Sequence, residues 1–325
     1  RVDRRQRQMC IRDRYNIFMR LGLVCISEKL RSAEKLHSRA MTRKKFLTED
    51  RSVSTVELSS RIAHNVLVLS KTIQTCHENG IGHLRVSSSM FPLVTDETLK
   101  LSYEDLPDID SIILELGKAG ALARQYDITL SCHPSQFNVL ASLSEDTIRR
   151  SILQLNHESQ VLDWLGCKSD YSSPMCLHLN RSPGVEEFAT QYFDRFCEGF
   201  SRCSKGVQNR LVLENEDKGY WCCENLYNTF NGFIPFVYDN LHDQCNPSSI
   251  TYSPHWADLF KKTWGKFTPV FHWSEGIDGT SKHTDYFTHV PTVVQLNKDV
   301  TWECEVKAKD YAICKIKDDM PLQSA

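Results

Sequence analysis

Six short apolar runs in this chain each lead to a side chain of the kind that binds metals. Ile128 to Cys132 runs into His133, Met175 to Leu177 into His178, and Leu211 to Leu213 into Glu214. Phe236 to Tyr238 runs into Asp239, Pro269 to Phe271 into His272, and Val300 to Trp302 leads to Glu303 and Glu305. The runs lack periodicity and have strand length, which reads as strands buried on both faces of a parallel sheet. A carboxylate at the end of such a strand is costly to desolvate unless it is paired, hydrogen-bonded or bound to a cation. The sites recur roughly 25 to 45 residues apart, close to the roughly 30-residue βα unit of an eight-unit barrel of ordinary size. This predicts an α/β chain folded as a single-domain TIM (β/α)8 barrel, with a metal cluster at the C-terminal ends of its strands.

Composition narrows the class without choosing a function. The 325 residues are 41% hydrophobic and 25% charged with a net charge of -2, values of an ordinary globular protein. Thirteen cysteines without a CxxC spacing indicate neither a zinc ribbon nor a small disulfide scaffold. Reduced thiols in an intracellular protein are expected, in the cytoplasm or nucleoid if the source is prokaryotic or viral. No run approaches the roughly 18 apolar residues of a membrane span, so no membrane partner is expected. Residues 1 to 18, basic up to Arg14, are read as a non-native or disordered extension, which leaves a barrel domain over residues 19 to 325.

Taken in order, Phe18 to Ile26 reads as the first strand. Ser27 to Val53 follows with seven cations, Lys29, Arg31, Lys35, Arg39, Arg43, Lys44 and Lys45. On the catalytic face of a barrel that cluster suits a phosphate backbone, and the plain alternative is a solvated helix face. Apolar spacing predicts helices over Ser54 to Glu78, Asp108 to Tyr126, Glu145 to Leu165 and Val185 to Ser204. His83 to Val86 reads as the second strand, where Arg85 and Ser87 are candidate phosphate contacts. Gln136 and Phe137 project from the loop after His133. An amide beside an exposed aromatic can enter a duplex, stacking on one base and bonding another, or the ring can fold back on the barrel. In Asp239-Asn240-Leu241-His242 the D-x-x-H spacing lets two side chains reach neighbouring metals from one loop. His157 is read as packing. Glu305 is preferred to Glu303, which precedes the exit of the eighth strand.

MRLGLVC near the start, LRVSSSMFP, SCHPSQF, LHLN, LENED, YDNLHDQCNP, HWSEG, KHTDY and ECEVKAK together resemble the successive motifs of the UV damage endonuclease family. The resemblance runs from Met19 to about Lys317. It implies an endonuclease IV-like TIM barrel holding up to three divalent ions, manganese first, with magnesium or zinc as alternatives. It also implies a monomer acting on double-stranded DNA that carries UV lesions, nicking the backbone immediately 5′ of cyclobutane dimers and 6-4 photoproducts. Carried over by position, His133, His178 and Glu214 hold one metal, and Glu214 bridges to a second completed by Asp239, His272 and Glu305. His242 and His283 hold a third. Gln136 and Phe137 match the pair that wedges into the lesion, with Arg85, Ser87 and Asn180 as further lesion contacts. Lys307 and Lys309 join Glu214 at the reaction centre by neutralising phosphate charge. Two departures matter: some relatives carry a modified lysine, a negative ligand, where this chain has Val270, and a histidine expected shortly after the FP motif aligns with Asp96 or is absent. Asp243 and Glu275 are the acids placed to compensate. A xylose-isomerase-like sugar isomerase and a damaged-DNA binder without nuclease activity are the competing readings.

Overall fold

The computed structural model describes residues 19–183 and 188–319, so the expected extension over residues 1 to 18 lies outside the described residues. Eight strands alternate with helices: β1 (Arg20–Val24), β2 (His83–Val86), β3 (Thr129–Cys132), β4 (Met175–Leu177), β5 (Leu211–Glu214), β6 (Phe236–Val237), β7 (Val270–Trp273) and β8 (Thr301–Cys304). All pair in parallel, in the order β6-β5-β4-β3-β2-β1-β8-β7. A parallel bridge between Asp239 and His272 joins the two ends of that order, the His272 N–H donating to the Tyr238 carbonyl at 2.9 Å. The sheet is thereby closed as the TIM barrel expected from the strand-end pattern.

Strand alternation divides the core in two. Leu84, Leu130, Met175, Leu213, Phe271 and Trp302 are buried in the continuous apolar core that strands and helices share. The inner positions depart from the branched aliphatics that usually fill such a barrel. His83, Arg85, Ser131, Cys176, Glu214, His272 and Glu303 are all buried there. Gly22 makes room for this polar interior: it lies in register with His83 on one side and Glu303 on the other. A Cβ at Gly22 would stand 2.8 Å from His83 Cδ2, inside van der Waals contact.

Helices over Ile109–Gln125 and Glu145–Trp164 fall within a residue of their predicted bounds, and Arg51–Glu78 starts three residues early. The aromatic helix is described over Ala189–Ser201, with Tyr192 and Phe196 in the core. The basic segment after β1 forms two short helices, Glu28–Ala33 and Arg43–Phe46. Several of its cations are engaged within the protein. Arg43 Nε meets Asp96 Oδ2 at 2.6 Å, Arg31 pairs with Glu28 at 3.2 Å, and Lys45 lies 3.4 Å from Glu57 and 3.8 Å from Glu49. Lys29 donates to the Asn79 amide oxygen. Lys35, Arg39 and Lys44 form no ion pair among the described residues, so the unpaired positive charge of this segment is smaller than seven cations in sequence suggest.

Glu158 lies buried on helix Glu145–Trp164, beside Cys132 of β3. Its Oε1 accepts from the Gln154 amide at 2.7 Å, whereas Oε2 has no partner among the described residues. Burial raises its pKa from 4.5 to about 7. The folded state therefore binds more protons than the unfolded state between those values, and ionising Glu158 opposes folding. Its cost is absent below pH 4.5, grows as pH rises towards 7, and is complete above, at about 3 kcal/mol. Glu158→Gln is predicted to match the parent in urea denaturation near pH 4.5 and to exceed it at pH 8. A variant less stable than the parent at pH 8 would contradict this.

Candidate metal centre at the barrel mouth

Six strands deliver ligands at or near their C-terminal ends. Glu214 closes β5, His133 and His178 directly follow β3 and β4, and His272 is the third residue of β7. Glu305 directly follows β8, and Asp239 lies two residues beyond β6. Four imidazoles then surround one carboxylate that is 1% exposed. Glu214 Oε2 stands 3.0 Å from His133 Nε2 and 3.3 Å from His178 Nε2. Glu214 Oε1 stands 2.8 Å from His272 Nδ1 and 3.2 Å from His242 Nδ1.

Asp239 is held by its surroundings. It caps the short helix Asn240–Cys245, its Oδ1 accepting from the backbone N–H of Leu241 at 2.7 Å and of His242 at 2.8 Å. Its backbone exchanges two bonds with the Asn215 amide, at 2.8 and 3.0 Å, and Ser274 Oγ donates to Oδ2 at 2.9 Å. Asn240 and the Ser274 backbone form a second reciprocal pair, at 2.9 and 2.8 Å. These clamps fix the loop after β6 against β5 and β7, so the D-x-x-H spacing becomes one turn of helix with both side chains at the mouth.

Three overlapping groups of ligand atoms result, each within a 4.8 Å span: His133, Cys176, Glu214 and His272; Glu214, Asp239 and His242; and Asp239, His272 and Glu305. The donor chemistry fits a cation. His133 Nδ1 lies 3.1 Å from the Pro134 carbonyl, which only accepts, so the ring's proton sits on Nδ1. Neutral His133 would then turn the lone pair of Nε2 on a carboxylate oxygen 3.0 Å away, a contact favourable only with a proton or metal ion between them. His242 Nδ1 similarly faces the Asn215 carbonyl at 2.9 Å, which leaves Nε2 free to bind.

The electrostatics hold the carboxylates ionised. Burial would raise Glu214, but His272 and His178 beside it keep it well below the usual carboxylate range. Burial likewise opposes ionisation of Glu305, and the neighbouring charges led by Arg85 and His272 together outweigh it, holding the group at about 2. His178 is lowered to about 4 by burial, which keeps it neutral near pH 7.

Other predicted residues are placed as follows. His283 stands 3.9 Å from Glu305 at the edge of the cluster, outside the three groups. Gln136 is exposed, and Phe137, at 80% exposure, does not fold back on the barrel. The buried Asn138 side chain bonds the Ser135 carbonyl at 2.8 Å and fixes the turn that presents them. A cleft of about 1060 Å³ opens beside Phe137, bordered by Arg43, Arg149, Arg150 and Gln154. Asn180 is exposed beside His178, with its backbone N–H 2.5 Å from Glu216 Oε1. Ser87 is half-buried, its hydroxyl 2.9 Å from that of Ser89. Lys307 is exposed, 3.5 Å from Asp285, and Lys309 is half-buried. Asp243 and Glu275 do not join the cluster: Asp243 accepts from the Tyr238 hydroxyl at 2.8 Å, and Glu275 accepts from Thr288 at 2.6 and 2.8 Å.

Arg85 corrects the sequence reading. It points into the barrel, 6% exposed, where it pairs with Glu303 and, at 2.5 Å, with Glu305, so it supports the cluster from below and is not presented to DNA. Glu303, passed over in the sequence, is the hub of this lower layer. It accepts from Arg85, from His83 at 2.9 Å and from Ser131 at 2.5 Å, and lies 3.2 Å from His272 Nε2. The signal was the two-residue spacing that places Glu303 with Glu305, and His83 with Arg85, on one face of their strands.

A family model described as UV-endonuclease UvdE matches residues 19–324. The UV DNA damage endonuclease of Nostoc sp. is 28% identical over 313 residues, covering 94% of this chain and 91% of its own length. The putative UV-damage endonuclease of Acanthamoeba polyphaga mimivirus is 26% identical, covering 92% of this chain and 90% of its own. The crystal structure of SacUVDE superposes with a TM-score of 0.76 at 24% identity, covering 93% of this chain and 99% of that one, a likeness of fold.

Removing Glu303 takes from buried Arg85 one of its two carboxylate partners and from buried His83 its carboxylate partner. Glu303→Ala is predicted to destabilise the chain by about 3–5 kcal/mol in chemical denaturation. A loss below about 1 kcal/mol, the scale of an exposed pair, would contradict the role given to this layer.

Proposed function

The chain belongs to the UV-endonuclease UvdE family, and from that premise we propose that it is a metal-dependent endonuclease that nicks DNA immediately 5′ of UV photoproducts. The observation that carries the reading is the convergence of Glu214, Asp239 and Glu305 with four histidines at the barrel mouth, beside an exposed Gln136-Phe137 pair. His133, His178, Glu214, Asp239, His242, His272, His283 and Glu305 are the residues that would hold up to three divalent cations. Bound there, such ions supply Lewis-acid chemistry, lowering the pKa of water and offsetting charge on a phosphodiester.

The protein's own side chains do the positioning. Phe137 offers a bare aromatic face on which a base can stack, and Gln136 offers an amide to the partner base. A photoproduct is already poorly stacked, so opening the duplex there costs less than at normal sequence, and that difference provides selectivity. Lys307, Lys309 and the unpaired cations Lys35, Arg39 and Lys44 meet the phosphate backbone, which makes binding weaken as salt rises. Asn180 and Ser87 lie beside the mouth as polar contacts. Arg85 acts from beneath, holding Glu303 and Glu305 ionised.

The test is a duplex oligonucleotide with one cyclobutane dimer, incubated with divalent cation or with chelator. The expected result is a cut on the 5′ side of the dimer that leaves a 3′-hydroxyl and a 5′-phosphate, requires cation, and is lost in Glu214→Ala. Phe137→Ala is predicted to lower lesion preference by about 1–3 kcal/mol, and Phe137→Tyr to retain it. Lesion binding without a cut under any cation would favour a binder without nuclease activity. Sugar turnover with no DNA binding would favour an isomerase.

A further inference from the structure

Cys176 is the inner residue of β4, two positions before His178 and on the same face. It is buried at the floor of the cluster, its Sγ 3.3 Å from Glu214 Oε2. His133 Nε2 and His272 Nδ1 complete a set of four ligand atoms from four strands, all within 4.8 Å of one another. A tetrahedral ion with bonds of about 2.0–2.3 Å holds its ligands roughly 3.3–3.8 Å apart, the spacing at which Cys176 and Glu214 already stand. Among the described residues, Cys176 is the one cysteine that joins a group of converging ligands. The thiol donates to the Glu214 carboxylate, which sets the sulfur among the atoms a cation would share.

We propose that Cys176 is a metal ligand, giving this centre an N2OS site formed by His133, Cys176, Glu214 and His272. On binding, the thiol releases its proton to bulk water and the ion gives up a hydration water for the sulfur. Thiolate is a soft ligand, so this position favours zinc or cobalt(II) over manganese or magnesium. The inference rests on the metal centre described above and adds to it the ligand that selects the ion. Manganese, expected first from the family resemblance, is then the poorer fit at this position.

The experiment is cobalt(II) titration of the full, chelator-stripped chain by absorption spectroscopy. The expected result is visible ligand-field bands together with a near-ultraviolet sulfur-to-cobalt band. Cys176→Ser keeps the visible bands and loses the ultraviolet one, whereas Cys314→Ser, at a half-buried thiol outside the cluster, keeps both. Cys176→Val, closer to the thiol in polarity, replaces the serine variant if circular dichroism shows that variant unfolded. Visible bands without the ultraviolet band in the parent would overturn the thiolate ligand and leave the metal centre standing. An ultraviolet band that survives loss of Cys176 would do the same. No cobalt bands at all would overturn both.

Discussion

The structure turns on the negative charge of Glu214. A carboxylate taken out of water at the end of a strand is tolerable only with charge or hydrogen bonds to compensate it, and here four imidazoles on four different strands or loops converge on it. The Pro134 carbonyl fixes the His133 tautomer, so the ring meets Glu214 either protonated or through a cation. At His242 it is Nδ1 that faces both the Asn215 carbonyl and Glu214, so its N–H serves both and Nε2 is left to a cation. The centre is thus a set of acceptors that face one another, arranged so that a positive ion resolves them.

A second polar layer makes that arrangement rigid. Glu303, His83, Ser131 and Arg85 occupy the space that aliphatic side chains usually fill inside such a barrel. Arg85 reaches upward to Glu305 and to His272 Nε2, 2.7 Å away, so the lower layer acts on the charge of the upper one. Strand register is the physical cause: His272 pairs with Glu303 and Arg85 with Ser131, which sets these side chains next to each other on the inner face. Outside the barrel, the backbone clamps of Asn215 and Asn240 hold the β6 loop, while buried Asp310 accepts from the Glu28 N–H at 2.9 Å and ties the first loop to the last.

Much of this was legible in the sequence because apolar runs that stop at His, Asp or Glu report both strand ends and ligands. His133, His178, Glu214, Asp239, His272 and Glu305 were found that way. Cys176 and Glu303 were harder to see because they sit within strands, where a cysteine passes for apolar and a lone glutamate looks misplaced. Only two-residue alternation relative to His178 and Glu305 would have marked them as inward-facing. Arg85 was misread since its carboxylate partners are more than 200 residues away in the chain, brought near by closure of the barrel. The cations of the first loop show the same limit: Asp96 and Glu57, which engage Arg43 and Lys45, belong to other elements.

The most direct measurement is thermal unfolding of the chelator-stripped chain with and without added divalent cation, alongside Glu214→Gln. If the buried carboxylate organises a cation site, the ion binds the folded chain and stabilises it, by about 2.7 kcal/mol at a hundredfold excess over its dissociation constant. The parent should then melt at a higher temperature with the ion, and Glu214→Gln should lose that shift. An equal shift in both proteins, or none in the parent at any cation concentration, would contradict the account.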